Sequence, residues 1–554
     1  MSATIAPDLE PMAEGDAAAR GSFKVLLADP ISDDGLAPLL GDDRFELVER
    51  DEGDLARQLA DADAVIVRSG TTLTRELIEA APKLRVIGRA GVGVDNIDLD
   101  AATERGVAVL NAPAGNTTSA AELTFALLLS LARSIPAADR SMRAGEWDRT
   151  TFRGIELHGK TLGLVGAGRI GAEVAKRARA FGMRVVAYDP YLPDERADTL
   201  GLVVAPLERV LEEADVLSLH VPLTEATENL IDAAALARMK PSAYLINAAR
   251  GGVVDESALI DALREGRLGG AALDVFADEP PASDHPLRTL EGVVLTPHLG
   301  AATREAQRNV AQEIAGAVRA ALVHGDLSKA VNAPGLSGDE MRRLQPMLRL
   351  AFSLGRLASA MCGGRFREIE VCVGGASERA SRPITARGVE GALSSIVGRR
   401  AINLVNAIHL AETRGIEVRR VTTSAPPDVS GEVQVRLGRA TDCFGGSPEG
   451  LRVQGSLLAG DHARLTRIGD FRVDVAVQGS LIMLRNRDVP GVIGQVGTIL
   501  GDAGANIAEY HQSRQGDGGE ALAVISLDGP VASGTMDALC ALPDVLDARQ
   551  AQLT

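Results

Sequence analysis

The chain has 554 residues, enough for three or four domains, and its 45% hydrophobic and 24% charged residues are typical of a globular protein. Aromatic residues make up only 3% of the chain, so aliphatic side chains must form the cores. The net charge of −17 disfavours nonspecific binding to nucleic acid and to anionic membranes. It does not exclude an anionic substrate, which needs only a local basic pocket.

The cysteines and the N-terminal segment predict a cytoplasmic protein. Residues 1–22 carry four acidic residues and lack the basic start and apolar stretch of a signal peptide, so we expect a disordered tail. The apolar segment Leu123–Ala132 is far too short to span a bilayer. No pair of cysteines has CxxC spacing, so we expect reduced structural thiols rather than disulfides or zinc ligands. The cysteines are Cys362, Cys372, Cys443 and Cys540.

Strand-like and helix-like segments alternate in the first part of the chain, which predicts an α/β fold with a parallel sheet. Strands are predicted at Lys24–Ala28, Ala64–Arg68 and Arg85–Gly88, with a helical pattern at Leu73–Ala81. The segment Leu123–Leu131 is apolar nearly all round, so we expect it to form a buried helix.

A second alternating series begins at residue 161 and predicts a complete doubly wound domain of six strands. A helix is predicted after it, at Glu305–Val323. The predicted strands are Thr161–Val165, Arg184–Tyr188, Val216–His220, Tyr244–Asn247, Gly270–Leu273 and Val293–Thr296.

The pattern changes near residue 336, after a segment rich in Pro and Gly, so we place a domain boundary there. Residues 336–478 combine helical stretches with later alternation at Glu432–Leu437 and Leu451–Leu457, which indicates an α+β domain. Residues 479–554 follow the order strand, helix, two strands, helix, strand. This βαββαβ order predicts a ferredoxin-like sandwich.

The strand Thr161–Val165 runs into a GxGxxG pattern, formed by Gly166, Gly168 and Gly171, that opens a helix. The first glycine permits a tight turn, the second lets the backbone approach a pyrophosphate, and the third lets helix and strand pack closely. Asp189 ends the next strand, 18 residues after the last glycine, where a carboxylate accepts from a ribose 2′-hydroxyl. We therefore predict NAD rather than NADP; a glycine turn without ligand is the alternative.

Three polar residues follow predicted strands at the edge where open parallel sheets bind ligands: Arg250, Glu279 and His298. Oxidation of a secondary alcohol by NAD needs a base for the hydroxyl proton, and histidine fills that role near neutral pH. A carboxylate would orient the histidine, and an arginine would bind a substrate carboxylate bidentately. Each residue alone is also compatible with a solvated loop position, and spacing does not show whether the three converge.

Four longer motifs, Arg68–Thr72, Gly88–Asn96, Asn247–Asp255 and Thr296–Thr303, carry a resemblance to a known family. With the glycine motif, they make the chain resemble the D-isomer-specific 2-hydroxyacid dehydrogenases. Over residues 23–554 it is similar to their long-form D-3-phosphoglycerate dehydrogenase branch. The resemblance implies NAD-dependent oxidation of 3-phospho-D-glycerate to 3-phosphohydroxypyruvate, the first step of L-serine biosynthesis.

The same resemblance implies roles for individual residues. Arg250 matches the residue that binds the substrate carboxylate and carbonyl, His298 the acid/base, and Glu279 its carboxylate partner. Asp189 matches the ribose ligand. The other matched cofactor positions are Gly166, Gly168, Arg169, Ile170, Gly171, Val221, Ala248, Asp274, Gly300 and Ala301. The matched substrate positions are Arg68, Ser69, Arg89, Gly91, Val92 and Gly93.

The fold class implied is α/β, with two doubly wound Rossmann-like domains, an α+β intervening domain and a C-terminal ferredoxin-like ACT domain. Family members form homo-oligomers, so a dimer or tetramer is expected, with an arm near Trp147 at the dimer contact. The expected ranges are 1–22 for the tail, 23–120 with 305–335 for substrate binding, 121–304 for NAD binding, 336–478 for the intervening domain and 479–554 for the ACT domain.

Within the last domain, Arg485–Gly491 followed by Ala505–Ile507 resembles an ACT effector motif. ACT domains of this family pair edge to edge and often bind serine at the joint, so L-serine is the expected allosteric effector. The matched effector positions are Asn486, Asp488 and Asn506, with Asn486 in place of the common His or Tyr. A dimerisation module without ligand is the alternative.

Two other functions stay open from the sequence. One is another D-2-hydroxyacid dehydrogenase, such as a glycerate or hydroxypyruvate reductase. Arg68 and Arg89 argue against it, because an unphosphorylated substrate has less need of them. The other is a noncatalytic NAD(H) sensor that binds protein partners, and the complete set of Arg250, Glu279 and His298 gives it no support.

Overall fold

The computed structural model describes residues 22–51, 53–424, 431–445, 450–458, 462–514 and 519–553. The tail expected at residues 1–22 therefore lies, except for its last residue, outside the described residues. Four β-sheets follow one another along the described part of the chain. The parallel sheets, the intervening unit and the last unit agree with the fold class expected from the sequence.

The first sheet is built from parallel strands that alternate with helices. Its elements are β1 (Phe23–Leu27), α1 (Asp33–Leu40), β2 (Phe45–Glu49), α2 (Leu55–Ala60), β3 (Ala64–Val67), α3 (Arg75–Glu79), β4 (Val86–Arg89), α4 (Leu99–Glu104) and β5 (Ala108–Asn111). The strand order is β2-β1-β3-β4-β5. The order reverses between β1 and β3, so the loops after these two strands open a crevice at the carboxyl edge of the sheet.

The second sheet is also parallel and follows two helices, α5 (Thr117–Ala132) and α6 (Ile135–Arg143). Its elements are β6 (Thr161–Val165), α7 (Arg169–Ala180), β7 (Arg184–Tyr188), α8 (Asp194–Leu200), β8 (Val203–Val204), α9 (Leu207–Glu213), β9 (Val216–Leu219), α10 (Ala233–Arg238), β10 (Tyr244–Asn247), α11 (Glu256–Arg264), β11 (Gly270–Leu273) and β12 (Val293–Leu295). The order is β12-β11-β10-β9-β6-β7-β8, and the expected six strands are joined by the two-residue β8. The reversal between β6 and β9 creates a second crevice.

Helix α5 is buried, as its apolar sequence predicted, and packs Phe125 and Leu128 into one core with Leu162 and Leu164 of β6. Among the described residues, no single helix is long and apolar enough to cross a membrane. Within the described ranges, one pair of helices, α5 and α6, reaches that length and hydropathy when taken together, and the two are bent by 62° at their junction.

The long helix α12 (Arg304–His324) leaves the second sheet and packs against the first one. Ile314 and Val318 lie in the same buried core as Val25 of β1. A β-carbon added to Gly35 of α1 would lie 2.2 Å from the β-carbon of Ala311, so α1 and α12 touch where α1 has no side chain. This packing ties the chain that follows the second sheet back to the first sheet.

The third sheet is mixed and carries two long helices on one face. Its elements are α13 (Gly338–Met361), β13 (Glu368–Gly374), α14 (Glu378–Val397), α15 (Ala407–Glu412), β14 (Glu417–Thr423), β15 (Gly431–Gly438), β16 (Leu451–Leu458), β17 (His462–Ile468) and β18 (Phe471–Ala476). The strand order is β14-β13-β15-β16-β17-β18, and only β14 pairs in parallel. Helices α13 and α14 approach backbone to backbone, because a β-carbon on Gly355 would lie 2.1 Å from the carbonyl oxygen of Gly388.

A disulfide joins Cys362 and Cys443, so the expectation of four reduced cysteines is wrong for this pair. Cys362 ends α13, and Cys443 lies in the loop after β15, 81 residues later in sequence. Phe444 donates its backbone N–H to the carbonyl oxygen of Met361 at 2.8 Å, which holds the loop at the end of the helix. Sequence spacing carries no sign of this contact, because the antiparallel pairing of β13 with β15 creates it. Cys372 and Cys540 are free thiols.

The fourth sheet is antiparallel and has the predicted βαββαβ order. Its elements are β19 (Ser480–Arg487), α16 (Val492–Asp502), β20 (Ile507–Arg514), β21 (Glu520–Leu527), α17 (Ser533–Cys540) and β22 (Val545–Gln552), with the strand order β20-β21-β19-β22. Ile482 and Leu484 of β19 pack under the two helices. Leu481 and Met483 face the other way and join the core of the third sheet, so this unit is seated on α13.

Two buried asparagines anchor the third unit to the first. The side-chain amide of Asn403 donates to the carbonyl oxygen of Gly106 at 2.9 Å, and that of Asn406 to the carbonyl oxygen of Glu104 at 3.3 Å. Both acceptors lie at the end of α4 in the first unit. Packing therefore runs without a break from the first sheet, through the third, to the fourth.

Candidate active site

The glycine motif lies at the crevice between β6 and β9, and two of its glycines are required by close contacts. Gly166 has a φ of 91°, and a β-carbon there would lie 2.6 Å from the carbonyl oxygen of His220. A β-carbon on Gly171 would lie 2.1 Å from the carbonyl oxygen of Gly166. Any larger side chain at either position would push α7 away from the strand. These two glycines therefore bring the start of α7 against the end of β6.

Gly168 differs from its neighbours because the space beside it is open. It precedes the first residue of α7, and a β-carbon there would have no heavy atom within 4 Å. The unpaired N–H groups at the start of a helix favour an anion, and Arg169 is exposed beside them. Ile170 is partly buried next to this turn. This open cradle fits a pyrophosphate.

Asp189 directly follows β7 and lies beside the glycine turn. Its two carboxylate oxygens each accept one backbone N–H, from Ala167 and from Tyr191, both at 2.9 Å. Each oxygen keeps capacity for a second donor. Together with the open space at Gly168, this half-buried carboxylate fits the ribose end of NAD.

Asp274 fixes the loop that forms the floor of the same edge. It is buried and accepts from the hydroxyl of Thr296 at 2.6 Å and from the backbone N–H groups of Leu299 and Gly300 at 2.7 and 2.9 Å. Burial raises the pKa of Asp274, while these hydrogen bonds act in the opposite direction. Asp274 thus holds the segment that carries His298.

Three further positions that were expected to line the cofactor lie around this edge. Val221 follows β9, and its Cγ1 lies 2.9 Å from the position of a β-carbon on Gly166. Ala248 follows β10 and is partly buried against the core of the second sheet. Ala301 lines a cavity of about 300 Å³ that also includes Arg68 and Ala90 from the first unit. The cavity therefore connects the edges of the two sheets.

His298 and Glu279 are brought together although 19 residues separate them. Nδ1 of His298 lies 2.7 Å from Oε2 of Glu279, and the backbone N–H of Phe276 donates to Oε1 of Glu279 at 3.1 Å. His298 has a φ of 54°, uncommon for a residue with a side chain, and its backbone N–H donates to the carbonyl oxygen of Asp274 at 2.9 Å. A carboxylate at Nδ1 accepts the proton there and leaves Nε2 as the acceptor. The pair can therefore accept a proton at Nε2.

Arg250 follows β10 and crosses to the first unit. Its Nε donates to Oδ2 of Asp95 at 3.1 Å, and its Nη1 donates to the carbonyl oxygen of Ala249 at 2.7 Å. A β-carbon on Gly93 would lie 1.8 Å from Nη2 of Arg250, so the absence of a side chain there makes room for the guanidinium. Val92 is half-buried between the two glycines of this loop.

Two further arginines, Arg89 and Arg68, belong to the same cluster of positive charge. A β-carbon on Gly91 would lie 1.4 Å from Nη1 of Arg89, so this glycine makes room for a second guanidinium. Burial, and then repulsion from the charges of Arg250 and Arg68, lowers the pKa of Arg89. Arg68 donates from Nη1 to the carbonyl oxygen of Pro30 at 3.2 Å. Ser69 is exposed next to it.

The loop that carries Arg250 is in contact with the loop that carries Glu279. A β-carbon on Gly251 would lie 1.9 Å from the carbonyl oxygen of Phe276, so the residues that follow β10 and β11 are in contact. The Arg250 loop therefore lies beside the Glu279 loop, and Arg250 itself reaches the arginines of the first unit. The edge combines a concentration of positive charge with a proton acceptor. It can bind a small dianionic or trianionic acid and remove a proton from it.

The three effector positions do not come together within one chain. Asp488 follows β19 and pairs with Arg514 at 3.3 Å, at the end of the sheet where Arg487 faces Glu520. Asn506 precedes β20 and donates to Asp528 at 2.7 Å, at the opposite end. An eight-residue strand separates the two ends, on the order of 20 Å. Asn486 is buried under the helices and donates to the carbonyl oxygen of Arg487 at 2.6 Å.

Three parts of the chain match models of known protein families. Residues 125–300 match the D-isomer specific 2-hydroxyacid dehydrogenase, NAD binding domain. Residues 343–468 match the D-3-phosphoglycerate dehydrogenase intervening domain, and residues 480–544 match the ACT domain. The NAD-binding match contains the glycine motif and the loops that hold Arg250, Glu279 and His298.

Whole-length relatives agree with these matches. A D-3-phosphoglycerate dehydrogenase of Synechocystis sp. is 40% identical over 96% of this chain and 95% of its own. One from Bacillus subtilis is 40% identical over 95% of this chain and 99% of its own. The chain belongs to the D-3-phosphoglycerate dehydrogenase family. A solved structure, a glyoxylate reductase from Paecilomyes thermophila, is 33% identical with a TM-score of 0.52, over 56% of this chain and 98% of that one.

Three acidic or amide residues that were not among the expected site residues hold Arg68 and Arg250 in place. Asp29 accepts the backbone N–H of Arg68 at 2.5 Å, Asp95 pairs with Arg250, and Asn96 donates to the carbonyl oxygen of Arg68 at 2.7 Å. Sequence reasoning missed their roles. The available signal was position, because Asp29 follows β1 at the strand reversal, and Asp95 and Asn96 follow the two glycines of the Arg250 loop.

Proposed function

We propose that the chain is an NAD-dependent D-3-phosphoglycerate dehydrogenase. It oxidises 3-phospho-D-glycerate to 3-phosphohydroxypyruvate, the first step of L-serine biosynthesis. The observation that carries this proposal is the His298–Glu279 pair, at 2.7 Å, beside a group of three arginines in which Arg89 feels the charges of Arg250 and Arg68. The substrate needs both, because it carries a carboxylate, a phosphate and a hydroxyl proton to be removed.

Each side chain has one task in the proposed reaction. Arg250 binds the substrate carboxylate and polarises the carbonyl that forms, since a guanidinium can hold two oxygens at once. His298 takes the hydroxyl proton at Nε2. Glu279 holds the tautomer through Nδ1 and stabilises the imidazolium that results. NAD, when bound, accepts the hydride that leaves the carbinol carbon.

The proposal also assigns residues to the cofactor and to the substrate phosphate. The open turn at Gly168 and the start of α7 receive the pyrophosphate, and Asp189 binds the ribose. Arg68, Ser69 and Arg89 receive the substrate phosphate. We assign substrate binding to residues 23–120 with 305–335, NAD binding to 121–304, and regulation to the intervening unit, 336–478, and the ACT unit, 479–554.

Regulation by L-serine in a homo-oligomer is also part of the proposal. Asp488 and Asn506 lie at opposite ends of one sheet, so a site that uses both must be formed by two chains. Edge-to-edge pairing of two ACT domains supplies such a joint. The fourth sheet is seated on α13, and Asn403 and Asn406 anchor that unit to the first one. This continuous packing offers a route from the joint to the substrate.

The proposal is tested by the loss of NADH absorbance on adding 3-phosphohydroxypyruvate, hydroxypyruvate or 2-ketoglutarate, each with and without L-serine. We expect fast turnover only of the phosphorylated ketoacid, slowed by serine. Equal turnover of an unphosphorylated ketoacid would show a broader 2-hydroxyacid dehydrogenase. NADH binding without turnover of any would favour a noncatalytic NAD(H) sensor.

Selectivity for phosphate is tested with Arg68→Ala and Arg89→Ala. Each variant should lose its preference for the phosphorylated ketoacid over hydroxypyruvate by about tenfold or more, because a charge-assisted hydrogen bond is lost. Arg57→Ala, at an exposed arginine of α2 in the same unit, is the matched control. Unchanged selectivity in both variants would place the phosphate elsewhere.

A further inference from the structure

Resting on the function proposed above, we propose that Asp95 and Asn96 are positioning residues that set the separation between the two ends of the substrate site. They are neighbours in the loop between β4 and α4. Asp95 holds the guanidinium of Arg250, and Asn96 holds the segment that carries Arg68. One short loop thus fixes the arginine for the substrate carboxylate relative to the arginine for the phosphate.

The contact of Asp95 crosses between the two parallel sheets. Asp95 follows β4 of the first sheet, while Arg250 follows β10 of the second, 155 residues later. The carboxylate takes Nε, at the side of the guanidinium, and the backbone of Ala249 takes one hydrogen of Nη1. Among the described residues, Nη2 of Arg250 has no hydrogen-bond partner. The far end of the guanidinium is thereby aimed and left open for a substrate carboxylate.

Stability does not explain this ion pair. The Asp95 side chain is 66% exposed, and exposed ion pairs contribute little to folding. An arginine side chain, in contrast, has many rotamers, of which few place the guanidinium correctly for the substrate carboxylate. A hydrogen-bond partner that holds the correct rotamer before the substrate binds therefore favours the reaction. The geometry therefore gives Asp95 a role in orientation rather than in folding.

Asn96 acts on the other end of the site through the backbone. Its side-chain amide donates to the carbonyl oxygen of Arg68 at 2.7 Å and to that of Thr71 at 2.6 Å. Both hydrogens of the amide are used in this way. The turn from Arg68 to Thr71 is therefore pinned to the residue next to Asp95. Because consecutive α-carbons are fixed about 3.8 Å apart, the two anchors cannot move independently.

The charges around the loop fit this role. Arg89 feels the repulsion of the charges of Arg250 and Arg68, while the charges of Asp95 and Asp29 act in the opposite direction. Without Asp95, the guanidiniums of Arg89 and Arg250 would face each other with less compensation. Asp95 thus also keeps Arg250 close to the other arginines before substrate arrives.

The two residues make distinct predictions. Asp95→Ala should reduce kcat/KM for every 2-ketoacid the enzyme turns over by about tenfold to a hundredfold, since all of them carry the carboxylate that Arg250 binds. Asp95→Asn should recover part of the loss, because its amide oxygen still accepts from Nε of Arg250. Asn96→Asp, which keeps the shape but cannot donate, should raise KM for the phosphorylated ketoacid and leave that for hydroxypyruvate within about twofold.

Steady-state kinetics of the full-length chain on both ketoacids tests these expectations, with NADH fluorescence titration and thermal unfolding as checks of folding. Asp100→Ala, at an exposed aspartate in the first turn of α4, is the matched control and should leave the kinetics unchanged. Kinetic constants within twofold of wild type in Asp95→Ala, or equal losses on both ketoacids in Asn96→Asp, would overturn the proposal.

Failure of the proposed function gives a different result. If the wild type does not prefer the phosphorylated ketoacid, the substrate assignment is wrong. The comparison of Asp95→Ala with Asp95→Asn still applies to whichever 2-ketoacid is turned over, because it depends only on the carboxylate.

Discussion

Sequence motifs predicted both the dinucleotide site at the edge of the second sheet and the effector positions of the fourth sheet. The fold brings the residues of the first together within one chain and keeps those of the second apart. At the dinucleotide edge, residues far apart in sequence meet within one chain, as His298 and Glu279 do at 2.7 Å. In the fourth sheet, Asp488 and Asn506 are only 18 residues apart and lie at opposite ends of the strands.

The difference follows from whether each residue lies at the end or at the start of its strand. In a parallel sheet every strand ends at the same edge, so residues placed just after strands converge whatever their separation in sequence. In the fourth sheet, β19 and β20 are both antiparallel to β21 and therefore run in the same direction. Asp488 follows the end of β19, whereas Asn506 precedes the start of β20, so the two residues lie at opposite ends of the sheet. Residues that all follow parallel strands therefore predict a site within one chain, whereas the ACT motif, with one residue at each end of the sheet, predicts half of a site.

The largest effect should come from the proton acceptor of the parallel edge. His298→Asn should lower kcat by about 10²- to 10⁴-fold, because removal of a general base costs that much. NADH affinity, measured by fluorescence titration, should stay within about twofold, since the glycine turn and Asp189 are untouched.

The chain offers a matched control for that variant. His285 also lies beside a glutamate in the segment between β11 and β12, with Nε2 at 3.2 Å from Oε2 of Glu256. His285→Gln should keep most of the activity. A kcat within tenfold of wild type in His298→Asn would show that another group takes the proton.

The next largest effect, on NADH binding and on stability, should differ between two glycines of the turn. Gly168→Ala adds a methyl group that meets no protein atom within 4 Å, so the free energy of unfolding should change by less than about 1 kcal/mol. The methyl group would instead occupy the space of the pyrophosphate and raise the Kd for NADH about tenfold or more. Gly166→Ala, with its φ of 91° and a contact at 2.6 Å, should lose both stability and NADH binding.

Calorimetry with NADH and thermal unfolding of both variants provide the test. If Gly168→Ala binds NADH as the wild type does, the pyrophosphate does not lie on this turn. If it unfolds as readily as Gly166→Ala, the open space at Gly168 serves packing rather than the cofactor.

Much of the parallel region could be predicted from the sequence, because local pattern and position agree there. β6, β7, β10 and β11 begin and end at the predicted residues, and the glycine spacing matches the contacts that require it. β2 and β5 were not predicted, since Phe45–Glu49 alternates with acidic residues and Ala108–Asn111 is short. β8 has only two residues, too few for a pattern.

Features that depend on packing between distant segments could not be predicted from sequence patterns. The contact of Cys362 with Cys443 arises from sheet pairing, and the contact of Asp95 with Arg250 joins loops of two different sheets. No characteristic spacing in the sequence predicts either contact. The three catalytic candidates could be named from chemistry, but their convergence required the strand order, which periodicity does not give.

A smaller effect, in stability rather than activity, concerns the residue that supports the glycine turn. His220 lies behind Gly166, and its Nε2 is 2.9 Å from the hydroxyl of Ser218. Burial lowers the pKa of His220 to about 4 from its ordinary value of 6.5. Between these values the unfolded chain binds a proton that the folded chain does not, so stability should fall as the pH falls from about 6.5 towards 4.

For His220 the loss at pH 5 should be about 2 kcal/mol, from the linkage of the two pKa values. His220→Gln should abolish this part of the loss, as measured by urea unfolding at pH 5 and pH 7. Between pH 7 and pH 8, where the imidazole is neutral in both states, the variant and the wild type should change in parallel. An unchanged loss at pH 5 in the variant would assign the acid sensitivity to other groups.

The smallest effect should come from the antiparallel region, where coupling between effector and substrate sites typically amounts to ~1–3 kcal/mol. If serine binds at a joint of two chains, Asp488→Ala and Asn506→Ala should each abolish inhibition by serine. A co-expressed mixture should recover part of it, because a hybrid joint can take Asp488 from one chain and Asn506 from the other. With random pairing about a quarter of the joints would be intact, since half of the dimers are hybrids with one complete joint each.

Serine titration of NADH turnover, on the two parents and the mixture, measures this recovery. A mixture as insensitive as its parents, beside a sensitive wild type, would mean that no single joint uses both residues, and the contrast between the two regions would then lose its functional meaning.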